Sequence, residues 1–262
     1  MKVSIVMGLY NCESTLRESL DSLLNQTYKD YEIIMCDDCS QDNTSQIAQE
    51  YISKHPHKFT LLANSENKGL AYSLNRCISL AKGIYIARMD ADDISRIDRF
   101  EKQVEFLDRN FDYALVGSSA QLFDENGVWG KRQMKKKPQK KDFLFGSPFI
   151  HPTILIRKEI LIKSGVYKVS KETLRTEDYD LFMRLYALNY KGFNIQEDLF
   201  LYREDNLSYK KRKYKYRIDE AKVRYDGFKK LELMPIGLVY VLKPLIVGLV
   251  PHKILKLVRR SK

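Results

Sequence analysis

The sequence predicts an α/β protein: a mostly parallel sheet with helices packed on both faces. Three observations lead there. Through the first hundred residues, apolar runs of strand length alternate with segments whose apolar residues recur every three to four positions. Such alternation is the signature of strand–helix–strand units, whose parallel strands need cover on both sides. Polar and acidic residues close the apolar runs, at the sheet edge where open α/β folds bind ligands. With 262 residues and 44% hydrophobic content, the chain can also bury a large core.

Residues 3–7 form the first expected strand, followed by Tyr10 and Asn11. Leu16, Leu20, Leu23 and Leu24 recur at i, i+4, i+7 and i+8 and predict a helix. A second strand at 31–36 ends on Asp37 and Asp38, and Asp42 or Thr44 stands where it can cap a helix carrying Ile47, Tyr51 and Ile52. Residues 59–63 read as a third strand, and Leu70, Leu74, Cys77, Ile78 and Ala81 as a third helix. The fourth strand, 84–89, runs directly into Asp90-Ala91-Asp92-Asp93, and a helix with Phe100, Val104 and Leu107 opens near Ile97.

The second half changes character. Short strands are expected at 114–118 and 121–123, with Asn126-Gly127 as a hairpin turn before Val128. Residues 131–141 carry seven lysines and arginines and read as a solvated connection or as cover over a phosphate or a membrane. His151-Pro152-Thr153 precedes a strand at 154–157. Thr176 to Asp180 opens a helix whose Leu181, Leu185 and Leu188 are expected to face the core, and 199–203 reads as the last strand. The acidic first turn of that helix suits the helix dipole, yet three carboxylates in four positions are many for a cap. The organisation expected is one α/β domain in two halves, 1–110 and 111–205, followed by a basic, amphipathic helical region at 206–262.

A formal charge of +11 calls for an anionic partner: a phosphate-bearing substrate, an acidic membrane surface or nucleic acid. Residues 209–217 interleave basic residues with tyrosines, as single-strand binders do, but no nucleic-acid fold signature accompanies them, and no nucleic-acid partner is expected. Cys36 and Cys39 have C-x-x-C spacing without the second pair that a zinc site would require. The N-terminus lacks a signal-peptide pattern, and the four cysteines fit free thiols in the cytosol. The apolar run after Met234 is broken by Lys243-Pro244 and is too short to cross a bilayer. Beyond it, Ile254, Leu255, Leu257 and Val258 share a helical face opposite Lys253, Lys256, Arg259 and Arg260, as in a helix lying on the inner face of the cell membrane.

The acidic cluster carries the chemistry. Two carboxylates ~4 Å apart repel by roughly 4 kcal/mol at an effective dielectric of 20, so such a group at the edge of a core needs a cation. All-oxygen ligands favour Mg²⁺ or Mn²⁺. An EF-hand starting at Asp90 fails, since Ile94 and Ser95 occupy its fifth and sixth positions. A plain capping role for the aspartates is the bland alternative.

Taken in order and spacing, these stretches resemble the family 2 glycosyltransferases of GT-A fold: residues 3–11, Asp37 to Thr44, Asn67-Lys68-Gly69 leading to Asn75, Asp90 to Asp93 with Arg99 and Gln103, His151-Pro152-Thr153, and Glu177 to Leu181 with Arg184. Many relatives have a proline before the Tyr-Asn pair, where this chain has Met7-Gly8-Leu9. The resemblance implies Asp92 as direct ligand to a diphosphate-bound Mg²⁺ or Mn²⁺, with Asp90 beside it near the ribose. It implies Asp38 at the nucleotide base with Tyr10 against it, Lys68, His151 and Glu177 in substrate binding, and Asp178 as catalytic base. The function expected is inverting transfer of a sugar from a nucleotide sugar, a UDP-sugar first, to a lipid-linked saccharide of a bacterial capsule, O-antigen or other surface polymer. A non-catalytic nucleotide-sugar- or nucleic-acid-binding module is the alternative; a phosphatase with Asp90 as nucleophile would leave the region around Asp38 unexplained.

Overall fold

A computed structural model describes residues 1–204 and 214–249. The alternation in the first hundred residues forms as expected: β1 (Val3–Leu9), α1 (Leu16–Leu24), β2 (Tyr31–Asp37), α2 (Thr44–Lys54), β3 (Phe59–Ala63), α3 (Leu70–Leu80) and β4 (Tyr85–Arg88). β1 lies parallel to β2 and β4, with Val3 opposite both Tyr31 and Tyr85, and β3 adds in parallel to β2. Asn43, not Asp42 or Thr44, occupies the N-cap of α2, while Asp42 accepts the Thr44 amide at 3.0 Å from one residue earlier.

The second half contributes β5 (Ile94–Ser95), α4 (Arg99–Arg109), β6 (Tyr113–Asp124), β7 (Gly127–Arg132), β8 (Leu155–Arg157), α5 (Lys158–Lys163), α6 (Glu177–Ala187) and β9 (Lys191–Arg203). Among the described residues nine strands form one sheet in the order β3-β2-β1-β4-β8-β6-β9-β5, with β7 paired to β6. β8 runs antiparallel to β4, so the two halves share a sheet; β6 and β9 pair in parallel.

Several elements differ from expectation. The two short strands at 114–123 are one twelve-residue strand, because Ser118 and Ser119 are buried, with their polar groups hydrogen-bonded instead of breaking the strand. β9 starts eight residues early, since Asn194 and Gln196 bond to the main chain of 134–136 and 148. The basic stretch 131–141 is tethered: Lys131 pairs with Asp198, Lys135 with Asp142, and residues Lys140–Leu144 form a 3₁₀ turn. Leu188, expected in the core, caps the C-terminus of α6 and is exposed.

The core has two layers. Leu16, Leu20, Leu23, Ile47, Phe100 and Leu107 of α1, α2 and α4 cover one face of the sheet. Leu74, Cys77, Ile78, Phe182 and Leu185 of α3 and α6 cover the other, joined by Phe228 of α7 (Lys215–Lys230). A last helix, α8 (Gly237–Leu249), follows; no described helix is long and apolar enough to cross a membrane. Residues 209–213 and the amphipathic segment 254–260 lie outside the described residues.

Candidate active site

Three strand ends and one helix start define the site. After β1 and β2 the chain turns through two left-handed residues, Asn11 (φ 48°) and Cys39 (φ 64°). The turns hold each other: the Asn11 amide donates to Ser40 Oγ at 3.0 Å, and Asn11 Oδ1 accepts the Gln41 amide at 2.8 Å. Asp38 is buried, and its carboxylate accepts Asn64 Nδ2 at 2.6 Å and the amides of Lys68 and Gly69 at 2.8 and 2.7 Å. It therefore positions the loop leading into α3. Gly69 is required there, since its φ of 87° is a left-handed conformation. Tyr10, half exposed, and the Lys68 ammonium, which pairs with Glu66, stand at the surface of this rim.

At the end of β4, ligand oxygens of Asp90, Asp92 and Asp93 lie within 4.8 Å of one another. α1 holds the turn through Ser19 Oγ, which donates to the Asp90 carbonyl at 3.0 Å. From the far edge of the sheet, Arg203 donates its amide to Asp93 Oδ1 and its Nε to the Asp92 carbonyl, both at 2.8 Å. Asp93 is buried and its Oδ2 has no hydrogen-bond partner. Burial, then the charges of Asp90 and Asp92, raise its carboxyl well above the usual range. Asp92 opens to the cleft, yet the surrounding protein and then Asp90 push its carboxyl up to about 6; contact with water tempers that rise. The donor set is all oxygen, an acceptor is orphaned and the anions are crowded, so the cluster fits a hard divalent cation.

Arg88, on β4 itself, is 3% exposed and ion-paired with Asp90, while its Nε has no hydrogen-bond partner. Burial disfavours its charge, and Asp90 more than restores it. The same charge reaches the start of α6. There burial, then Asp178, push Glu177 up to about 8, with Arg88 opposing. Burial also raises Asp178, against the Tyr179 amide and Arg88. The charge of Arg88 thus acts on carboxyls in both halves of the acidic constellation.

His151 lies behind this wall. It is buried, with Nε2 2.7 Å from the Tyr167 hydroxyl, and burial followed by Arg88 holds it neutral. Asn75 grips Tyr167 through both main-chain groups at 2.8 and 3.0 Å, and Arg184 donates to the carbonyls of Ser164 and Val166. These residues position the loop that leads to Asp178. Arg99 is fully buried, donating to Gln103 and to the Arg88 carbonyl. The structure thus pairs Asp90 with Arg88, sets Glu177 and Asp178 within reach of the same charge, ties Asp38 to the loop into α3 and buries His151 against Tyr167. Sequence reasoning missed Arg88, Arg203 and Tyr167. A charged residue inside an apolar strand was the available signal for Arg88; Tyr167 had none.

The profile of "Glycosyl transferase family 2" matches residues 4–165. EpsE of Bacillus subtilis (strain 168), which carries a glycosyltransferase name, is 42% identical over 254 residues, 97% of this chain and 91% of its own. The Escherichia coli UDP-Glc:alpha-D-GlcNAc-diphosphoundecaprenol beta-1,3-glucosyltransferase WfaP is 29% identical, over 84% of each chain. Among solved structures, S. aureus TarS (residues 1–349) in complex with UDP superimposes with a TM-score of 0.71 at 19% identity, covering 95% of this chain and 71% of that one. That likeness shows the GT-A fold.

Proposed function

The chain belongs to glycosyl transferase family 2, and on that premise we propose that it is a metal-dependent, inverting glycosyltransferase moving a sugar from a UDP-sugar to a lipid-linked saccharide. One observation carries the reading: an all-oxygen cluster at Asp90, Asp92 and Asp93 and a carboxylate pair, buried Glu177 and half-buried Asp178, both feel the charge of the buried Arg88.

Asp92, with Asp90, would hold Mn²⁺ or Mg²⁺, which when bound neutralises charge growing on the departing nucleoside diphosphate. Asp178 takes the proton of the acceptor hydroxyl as that oxygen forms its bond to the anomeric carbon. The bond from that carbon to the diphosphate oxygen breaks, its electron pair leaving with the diphosphate. A raised carboxyl pKa makes Asp178 a stronger base than an exposed aspartate. One displacement inverts the centre; the β linkage in the name of WfaP is what inversion of an α-linked donor would produce. Tyr10 and the Asp38-anchored loop form the nucleotide rim, with Lys68 on it, while Glu177 meets the acceptor.

That relative's diphosphoundecaprenol acceptor supports a lipid-linked acceptor here. α8 supports work at a membrane surface, because Leu238, Val239, Leu242, Ile246 and Leu249 are all about half exposed or more. The enzyme would then serve a bacterial surface polysaccharide from the cytoplasmic face. The test is Mn²⁺-dependent release of UDP from a panel of UDP-sugars with membrane-lipid acceptors. Asp178→Asn should lower turnover at least 1,000-fold while UDP affinity stays within twofold; UDP binding without turnover in the parent protein would favour a binding module instead.

A further inference from the structure

A cavity of about 540 Å³ opens beside the candidate active site, between the start of α3, residues 169–174 and the first turns of α7. Its walls connect it to the chemistry. Gly69, on one side, donates its amide to Asp38, and the segment on the other side runs within three residues into Glu177 and Asp178. Lys68, Lys171 and Lys215 line it, and among the described residues neither Lys171 nor Lys215 has an acidic partner within 4.0 Å. Asp219 also lines it, is 8% exposed and keeps one buried oxygen without a hydrogen-bond partner. Tyr216 supplies a ring, with Arg175 5.7 Å from its centroid.

The lining suits a ligand with two parts: an anion of high charge density for the lysines, and a sugar whose hydroxyl can satisfy Asp219 while a ring face rests on Tyr216. The donor's diphosphate is accounted for at the Asp90–Asp93 cluster, none of whose residues line this cavity, so its lysines suit another phosphate. We propose that this cavity binds the diphosphate and the first sugar of a lipid-diphosphate-linked acceptor; the inference rests on the glycosyltransferase reading above and names where its acceptor is held. The exposed apolar residues Leu238, Val239, Leu242, Ile246 and Leu249 of α8, which packs on α7, give the lipid chain an apolar path away from the cavity. The acceptor's diphosphate then rests on Lys171 and Lys215, with its chain toward α8.

Binding, measured apart from turnover, tests this. The full chain, saturated with UDP and Mn²⁺ to fill the donor site, is titrated with undecyl diphosphate and with undecyl monophosphate below their micelle concentrations. The diphosphate should bind at least tenfold more tightly than the monophosphate. The double variant Lys171→Gln/Lys215→Gln should lose at least tenfold in diphosphate affinity with UDP affinity within twofold of the parent. Equal affinity for both probes, no binding of either, or a double variant that binds the diphosphate like the parent would overturn the assignment. The glycosyltransferase reading fails separately, if the parent releases no UDP from any UDP-sugar, so the two failures are told apart.

Discussion

Arg88 and Asp90, two residues apart at the end of β4, form an ion pair in which the arginine is 3% exposed and the aspartate 29%. Asp90 thus has a structural partner that Asp92 lacks. Breaking a buried pair leaves an uncompensated charge and costs about 3 kcal/mol or more in a closed core; partial exposure here brings that to about 2 kcal/mol. Asp90→Asn should therefore lower Tm by about 4–8 °C as well as weaken Mn²⁺ binding. Asp92→Asn should abolish Mn²⁺-dependent turnover with Tm within 2 °C of the parent. Thermal melts with Mn²⁺ titrations check both, and equal melting temperatures for the two variants would contradict the pairing.

Glu177 makes apo-protein stability depend on pH. Its folded pKa of about 8 lies above the ordinary 4.5, so the folded state binds the proton more tightly than the unfolded chain. Stability is then fully present below about pH 4.5 and is lost as pH rises through about 8, by at most about 5 kcal/mol at roughly 1.4 kcal/mol per unit. Glu177→Gln should raise Tm at pH 8.5 by several degrees, with the gain vanishing near pH 4.5. Melts of both proteins across that range measure it; a constant difference at every pH contradicts the assignment.

Asp38 and Tyr10 share the rim proposed for the nucleotide but differ in what they support. Removing the Asp38 carboxylate strands the Asn64 amide and two main-chain amides. Asp38→Ala should cost about 3 kcal/mol, or about 6–12 °C in Tm, and lose UDP affinity through the displaced loop. Tyr10→Ala, at an exposed position, should leave Tm unchanged and weaken UDP binding about tenfold. Calorimetric titration of UDP alongside melts separates the two effects.

The exposed stripe of α8 predicts membrane binding. Leu242→Glu/Ile246→Glu places two charges on it without touching the core, since both positions are more than half exposed. Co-sedimentation with vesicles of phosphatidylglycerol and phosphatidylcholine should fall at least fivefold, with Tm and UDP affinity unchanged. Unaltered sedimentation would show that α8 is not the contact.

Strand–helix alternation, the carboxylates at the strand ends and the acidic start of α6 were legible because each is a local pattern: hydrophobic period, turn chemistry and charge all lie within a few residues. The length of β6 was not, because Ser118 and Ser119 look like a break until Thr153 and Met134 satisfy them from elsewhere in the chain.

By itself the sequence determined the architecture of the first hundred residues and the carboxylates available for chemistry, since burial of periodic apolar faces leaves few alternatives. Tertiary structure alone decided how those carboxylates divide the work. Asp92 is exposed while Asp90 is tied to Arg88, Asp38 holds the loop into α3, and the Glu177 carboxyl is pushed up to about 8. Those distinctions depend on which charges are desolvated together, and desolvation is set by segments distant in the chain that meet only in the folded sheet.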